Sequence, residues 1–125
     1  MISLFEEYGV KFAYLFGSRA KGDRPPSSDV DLAVYLGESE PGRRFDKKLS
    51  LISRLGVIVK KDVDVVVLND VRNNFLLAEI IRKGKVIFNC APDERFAFAV
   101  AKQHEVTDFI THFHHVATGT NFSKN

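Results

Sequence analysis

Asp29 and Asp31 stand two apart, and Gly17-Ser18 lies upstream, with the serine eleven positions before Asp29. Residues two apart on a strand project to the same face, so a strand through this segment presents both carboxylates side by side. Like charges that close raise each other's pKa and oppose folding unless a cation lies between them. Hard oxygen ligands suit Mg²⁺, which takes one or two carboxylates and completes its shell with water and substrate phosphate. A site for a metal ion and a phosphate-bearing substrate is therefore expected.

Gly17 and Ser18 supply the phosphate half. Glycine at a strand end permits a tight turn and a close approach of backbone to ligand. Ser18 reads as the N-cap of a short helical turn through Arg19, Ala20 and Lys21, with Gly22 as its stop. Free N–H groups at such a terminus, with the serine hydroxyl, favour an anion. Arg19, Lys21 and Arg24 are the basic side chains nearest in sequence, Arg19 ranking first; a solvated basic turn would have the same composition. A third carboxylate comes from Lys60-Lys61-Asp62-Val63-Asp64-Val65-Val66-Val67. If this strand lies beside the first, an acid on it faces the pair across the ladder. Asp64 is chosen because, like Asp31, it directly precedes the apolar run. Asp62 shares its face and stays open.

The elements that must hold these residues follow from periodicity and punctuation. Ile2 to Tyr8 reads as a short helix and Lys11 to Phe16 as the first strand, delivering the chain into Gly17. Pro25-Pro26-Ser27-Ser28 makes a rigid loop before a second strand, Asp29 to Leu36. After a loop from Gly37 to Gly42, Phe45, Leu49, Ile52 and Leu55 mark a helical stripe ending at Gly56. Asp62 to Leu68 is the third strand. Asn74 to Lys83 is helical, with Leu76, Leu77, Ile80 and Ile81 on one side and Gly84 as stop. Lys85 to Asn89 is a small strand. A last helix starts near Pro92, with Asp93 and Glu94 at its positive end and apolar positions at Phe96, Val100, Val106, Phe109, Ile110 and Phe113. The tail from Thr118 is expected to fray.

Gly17-Ser18-Arg19-Ala20-Lys21-Gly22, followed by Ser28-Asp29-Val30-Asp31-Leu32 and a later strand aspartate, resembles the nucleotidyltransferase superfamily typified by DNA polymerase beta. Within it the match is to the single-domain minimal nucleotidyltransferases, whose chains run through a GSRARG-like turn and an SDxDL strand. The resemblance covers the region from the first helix to Asn89. It implies an α/β (α+β) fold, a mixed sheet flanked by helices, over residues 1–118 with a flexible tail at 119–125. It also implies two Mg²⁺ ions and ATP as substrate. Asp29 and Asp31 would hold both ions, and Asp64 would help hold the catalytic one and draw a proton from the acceptor hydroxyl. Gly17, Ser18, Arg19 and Ser28 would bind the nucleotide.

Composition agrees with a single domain: 125 residues, 45% hydrophobic, with 11 Phe, are enough for an independent core. A net charge of +2 gives no sign of general nucleic-acid binding. Neither a long apolar span nor a signal peptide appears, and the lone Cys90 permits no internal disulfide, so a soluble, cytoplasmic protein is expected. His112 and His115 lie one turn apart on the last helix but lack zinc-site companions, so a polar helix face is preferred. Phe113 and Phe122 are the candidates for exposed partner contacts.

The chain leaves no room for the accessory domains that larger relatives use to grip nucleic acid. Small members of the family resemble antitoxins that silence a HEPN-domain ribonuclease toxin by transferring AMP to a tyrosine hydroxyl, which implies a hetero-oligomer with that toxin. Two other readings stand beside this one: an antitoxin acting by occlusion alone, and a nucleotidyltransferase acting on a small molecule. The second would need an acidic substrate pocket, and the acid-poor C-terminal part does not offer one.

Overall fold

β-Branched and aromatic residues dominate Val10–Phe16 (β1), Val30–Leu36 (β2) and Val63–Val67 (β3), the composition that suits a pleated, half-buried surface. The computed structural model describes residues 1–17 and 29–118, with side chains as far as Glu105. Ser18, Arg19, Ser28, the histidines at 112, 114 and 115, Phe113, Phe122 and the tail at 119–125 thus lie outside what is described. Helix α1 is Ile2–Glu7, α2 is Pro41–Val59, α3 is Asn74–Lys83 and α4 is Pro92–Thr118; strand β4 is Lys85–Asn89 and a 3₁₀ turn spans Leu68–Asp70.

The four strands form one sheet in the order β3-β2-β1-β4. β1 pairs antiparallel with both β2 and β4, whereas β2 and β3 are parallel, so the sheet is mixed. The parallel pair is joined through α2, the crossover helix such a connection requires. One face of the sheet carries Val10, Leu32, Val34, Val63 and Val65, packed with Leu4 and Phe5 of α1 and Leu51 and Leu55 of α2. Full burial of Leu51 and Leu55 stabilises by about 1.5–3 kcal/mol each. The other face carries Phe12, Tyr14, Phe16 and Ala33 under Leu77 and Ile80 of α3. Phe98 anchors α4 there, its ring 5.7 Å from Phe12 and 5.2 Å from Tyr35.

Several boundaries differ from the sequence reading, each for a physical reason. Helix α2 runs past Gly56 to Val59, because the stop is supplied by Lys60, whose left-handed backbone (φ 59°) sends its N–H to the Gly56 carbonyl. On α2 the expected Ile52 and Leu55 do face the core, joined by Leu51, while Phe45 and Leu49 nearer the helix start are exposed. On α4, Phe96 and Val100 face outward and Phe98 faces the sheet. The helix also continues through Thr118. Asp29 and Asp62 each stand one residue ahead of their strands, and Leu68 begins the 3₁₀ turn. Helix α3 has the expected bounds, with Asn73 as N-cap accepting from Phe75 and Leu76 and Gly84 closing onto Ile80.

Candidate active site

Antiparallel pairing sets Phe16 opposite Asp31, and parallel pairing sets Asp31 opposite Asp64. The end of β1 and the starts of β2 and β3 therefore form one mouth of the sheet. Alternation does the rest. Leu32 and Val34 turn to the face under α1 and α2, so Asp31 turns with Ala33 to the opposite face, opposite Phe16 at the edge of the aromatic cluster. Directly paired strand residues are about 4.8 Å apart, near enough for two carboxylates to share a cation. Asp31 is half-buried and Asp64 exposed, on an edge strand open to solvent.

Gly17 closes the other side of Asp31. Its φ is +77°, in the left-handed region, and a Cβ placed on it would lie 2.8 Å from Asp31 Oδ2. The backbone after β1 thus passes directly against the carboxylate, an approach that only glycine permits. Ser18 and Arg19 follow immediately in sequence, outside the described residues.

Asp29 and Asp62 occupy the rim. The Val30 N–H donates to the Asp62 carbonyl at 3.0 Å, which continues the ladder outward. Both acids line an open cleft of about 610 Å³ between the mouth and the end of α2, together with Ser53, Val57, Lys60 and Lys61. The arrangement therefore brings Asp31 and Asp64 together as ladder neighbours and leaves Asp29 at the rim. Among the described residues no three His, Cys, Asp or Glu side chains converge as a metal-holding group. The donors at the mouth still fit Mg²⁺: they are hard carboxylate oxygens on adjacent strands, and the bare Gly17 leaves the corner beside Asp31 free of a side chain. Lys60, Lys61 and Ser53 were missed in the sequence. The double lysine ahead of an acid-then-apolar strand was the available signal.

A family profile described as polymerase beta, nucleotidyltransferase matches residues 1–93. The chain belongs to this nucleotidyltransferase family. The match spans the whole sheet and ends at the start of α4. Two proteins of Methanocaldococcus jannaschii, each named "putative protein adenylyltransferase", are 32% identical over 71 and 77 residues, covering 57% and 62% of this nucleotidyltransferase and 73% and 76% of their own lengths. A toxin-antitoxin crystal structure with AMP-PNP superposes with a TM-score of 0.75 at 23% identity, covering 94% of this chain and 92% of that one. A structure of a tri-AMPylated Shewanella oneidensis HEPN toxin in complex with MNT antitoxin superposes with a TM-score of 0.70 at 20% identity, covering 94% and 89%. At these identities the likeness to the solved structures is one of fold. Among the described residues no helix is long and apolar enough to cross a membrane.

Proposed function

We propose that this nucleotidyltransferase is an antitoxin that transfers AMP from ATP to a tyrosine hydroxyl of a partner HEPN ribonuclease, silencing it. The observation that carries the reading is the pairing of Asp31 with Asp64 at a mouth bounded by Gly17. The names of the related adenylyltransferases and the AMP-bearing toxin complex of similar fold supply the substrate class. The working unit is residues 1–118, including α4, and it acts in the cytoplasm as a hetero-oligomer with its target.

In this reading Asp29, Asp31 and Asp64 hold two Mg²⁺ ions, which supply charge neutralisation of the triphosphate and of the attacking and leaving oxygens. Gly17, Ser18, Arg19 and Ser28 line the nucleotide corner. The tyrosine oxygen forms a bond to the α-phosphorus as the bond to the bridging oxygen breaks, and pyrophosphate departs. The hydroxyl proton passes to Asp64, whose position on the edge strand leaves it open to an incoming protein. Asp31 lies beside Gly17, where the lack of a side chain leaves its carboxylate room.

The test is to incubate the protein and its co-expressed partner with α-labelled ATP and Mg²⁺. Label on a partner tyrosine, together with loss of ribonuclease activity, is expected. Silencing without label, preserved when Asp29 and Asp31 are both replaced by Asn, would assign the protein to inhibition by occlusion instead.

A further inference from the structure

Half of the apolar stripe on α2 is left without cover. Ile52 and Leu55 pack on the sheet, but Phe45 and Leu49 are 56% and 49% exposed. Phe45, Leu49 and Ser53 follow at four-residue spacing, so they lie on one side of the helix, about one turn apart. Each end of that row lines a cleft. Ser53 belongs to the open cleft at the mouth, with Asp29 and Asp62. Phe45 belongs to a second one of about 230 Å³, with Val66, Val67 and Val71 as its other apolar members and Lys48 and Asp70 as its polar ones. Leu49 stands between the two. The row therefore connects the second cleft to the mouth, alongside the edge strand β3.

β3 ties the second cleft to the chemistry as well. Asp64 and Val66 are two apart, so both side chains turn to the face that carries Asp31, with Val66 about 7 Å further along the strand. Asp64 is exposed, and Val66 is partly buried at the margin of the aromatic cluster. An in-line displacement puts the leaving and attacking oxygens on opposite sides of the phosphorus. With the leaving phosphates at the Gly17 corner, which follows β1, the attacking hydroxyl comes from the β3 side of the sheet. A protein that brings a tyrosine to Asp64 from that side lays its neighbouring residues over Val66, Phe45 and Leu49. Side chains one turn apart on a helix are about 5–6 Å apart, and alternate ones on a strand about 7 Å, so either kind of acceptor segment spans the step from Asp64 to the cleft.

We propose that the cleft of Phe45, Val66, Val67 and Val71, with Leu49 beside it, is the docking surface for the acceptor protein, which seats there an apolar side chain one helical turn or two strand positions from its target tyrosine. On the protein-adenylylation reading above, on which this rests, Asp64 receives the hydroxyl and the cleft holds the segment that carries it. An apolar side chain buried in a pocket is the kind of contact that concentrates affinity at a protein interface. Exposed Phe45 and Leu49 then serve the complex and not the free fold. The surface lies beyond the carboxylates from the Gly17 corner, so it governs the acceptor's binding and leaves the nucleotide's unchanged.

The experiment measures the affinity of the co-expressed partner and, separately, the kinetics of AMP transfer to it. Phe45→Gln/Leu49→Gln is compared with the wild type, with the apolar pair Phe45→Leu/Leu49→Met, and with Phe96→Gln/Val100→Gln, which alters exposed apolar residues of α4. Glutamine is a good helix former, and both α2 positions are solvent-facing, so the fold is kept. The α2 glutamine variant is expected to bind the partner at least about tenfold more weakly and to raise KM for it by the same factor, with kcat within about twofold and Mg²⁺-dependent ATP binding unchanged. The apolar pair restores binding, and the α4 variant leaves it unchanged. Undiminished partner affinity in the α2 glutamine variant, an equal loss in the α4 variant, or a fall in kcat at unchanged KM would each overturn the proposal. So would a wild-type homodimer that the α2 glutamine variant dissolves in sedimentation, since the occupant would then be a second copy. A wild type that binds the partner but transfers no AMP would instead remove the adenylylation reading, whatever the affinities of the variants.

Discussion

The two ends of β2 are built on opposite principles. At its C-terminal end side chains tie the strand down. The Leu36 N–H donates to Asn69 Oδ1, and Asn69 Nδ2 donates to the Leu36 carbonyl, both at 2.9 Å, so a side-chain amide stands in for the missing rung of the ladder. Beside it, Arg44 grips Asp70 with two parallel hydrogen bonds, at 3.0 and 2.6 Å. At the N-terminal end, Asp31 and Asp64 stand opposite each other on adjacent strands, Gly17 is held in a left-handed turn, and Lys60 and Lys61 line a cleft with Asp29 and Asp62. One end of the strand is tied by side-chain hydrogen bonds to the backbone, and the other gathers carboxylates on adjacent strands.

The sharpest way to break this contrast is to neutralise the mouth. Asp31→Asn or Asp64→Asn is expected to lower AMP transfer about a thousandfold or more, the scale of losing a metal ligand or proton acceptor. For Asp64→Asn the melting temperature should hold or rise, because this exposed side chain loses a like charge opposite Asp31. A variant that lost stability along with activity would show the pair to be structural. Gly17→Ala comes next. It adds a Cβ against Asp31 Oδ2 at a left-handed position, and transfer should fall about a hundredfold through the displaced carboxylate, with roughly 1–2 kcal/mol of stability lost in denaturant titration.

At the other end the pattern should reverse. Asn69→Leu leaves the Leu36 N–H and carbonyl without their partner and is expected to cost about 1–3 kcal/mol, measured by chemical denaturation, while the folded protein keeps its transfer rate. The smallest effect belongs to Asp70. The hydrogen bonds from Arg44 hold its carboxyl below the ordinary value of 3.8. Its contribution is therefore complete at neutral pH and is lost as the pH falls from about 4 through the lowered folded value. Asp70→Asn should melt slightly below the wild type at pH 7, and the two curves should meet at the acid end.

Much of this molecule could be read from residue types. The order of strands and helices was legible because β-branched runs alternate with helical stripes, and α3 was found to the residue because its apolar side stops at Gly84. Asp31 and Asp64 were legible because an acid ahead of an apolar run has only the strand mouth to occupy. Strand order was not readable, because it is decided by which faces bury together and not by local pattern. The face of α2 was half legible: of the expected Phe45, Leu49, Ile52 and Leu55, the last two pack on the sheet, while Phe45 and Leu49 are exposed and Leu51, equally apolar, is buried in their stead. The end of α2 was placed at Gly56 because glycine is the usual stop, whereas here a lysine takes the left-handed turn. The cleft was not legible for the same reason, since it forms only where the end of α2 comes beside Asp29 and Asp62.

Calorimetric titration of ATP into the protein, with and without Mg²⁺, bears most directly on the claim that the facing carboxylates form a cation-dependent nucleotide site. Saturable binding that requires Mg²⁺ in the wild type and disappears in an Asp31→Asn/Asp64→Asn double variant of unchanged fold is the result expected. Equal binding by the two proteins, or binding indifferent to Mg²⁺, would contradict it.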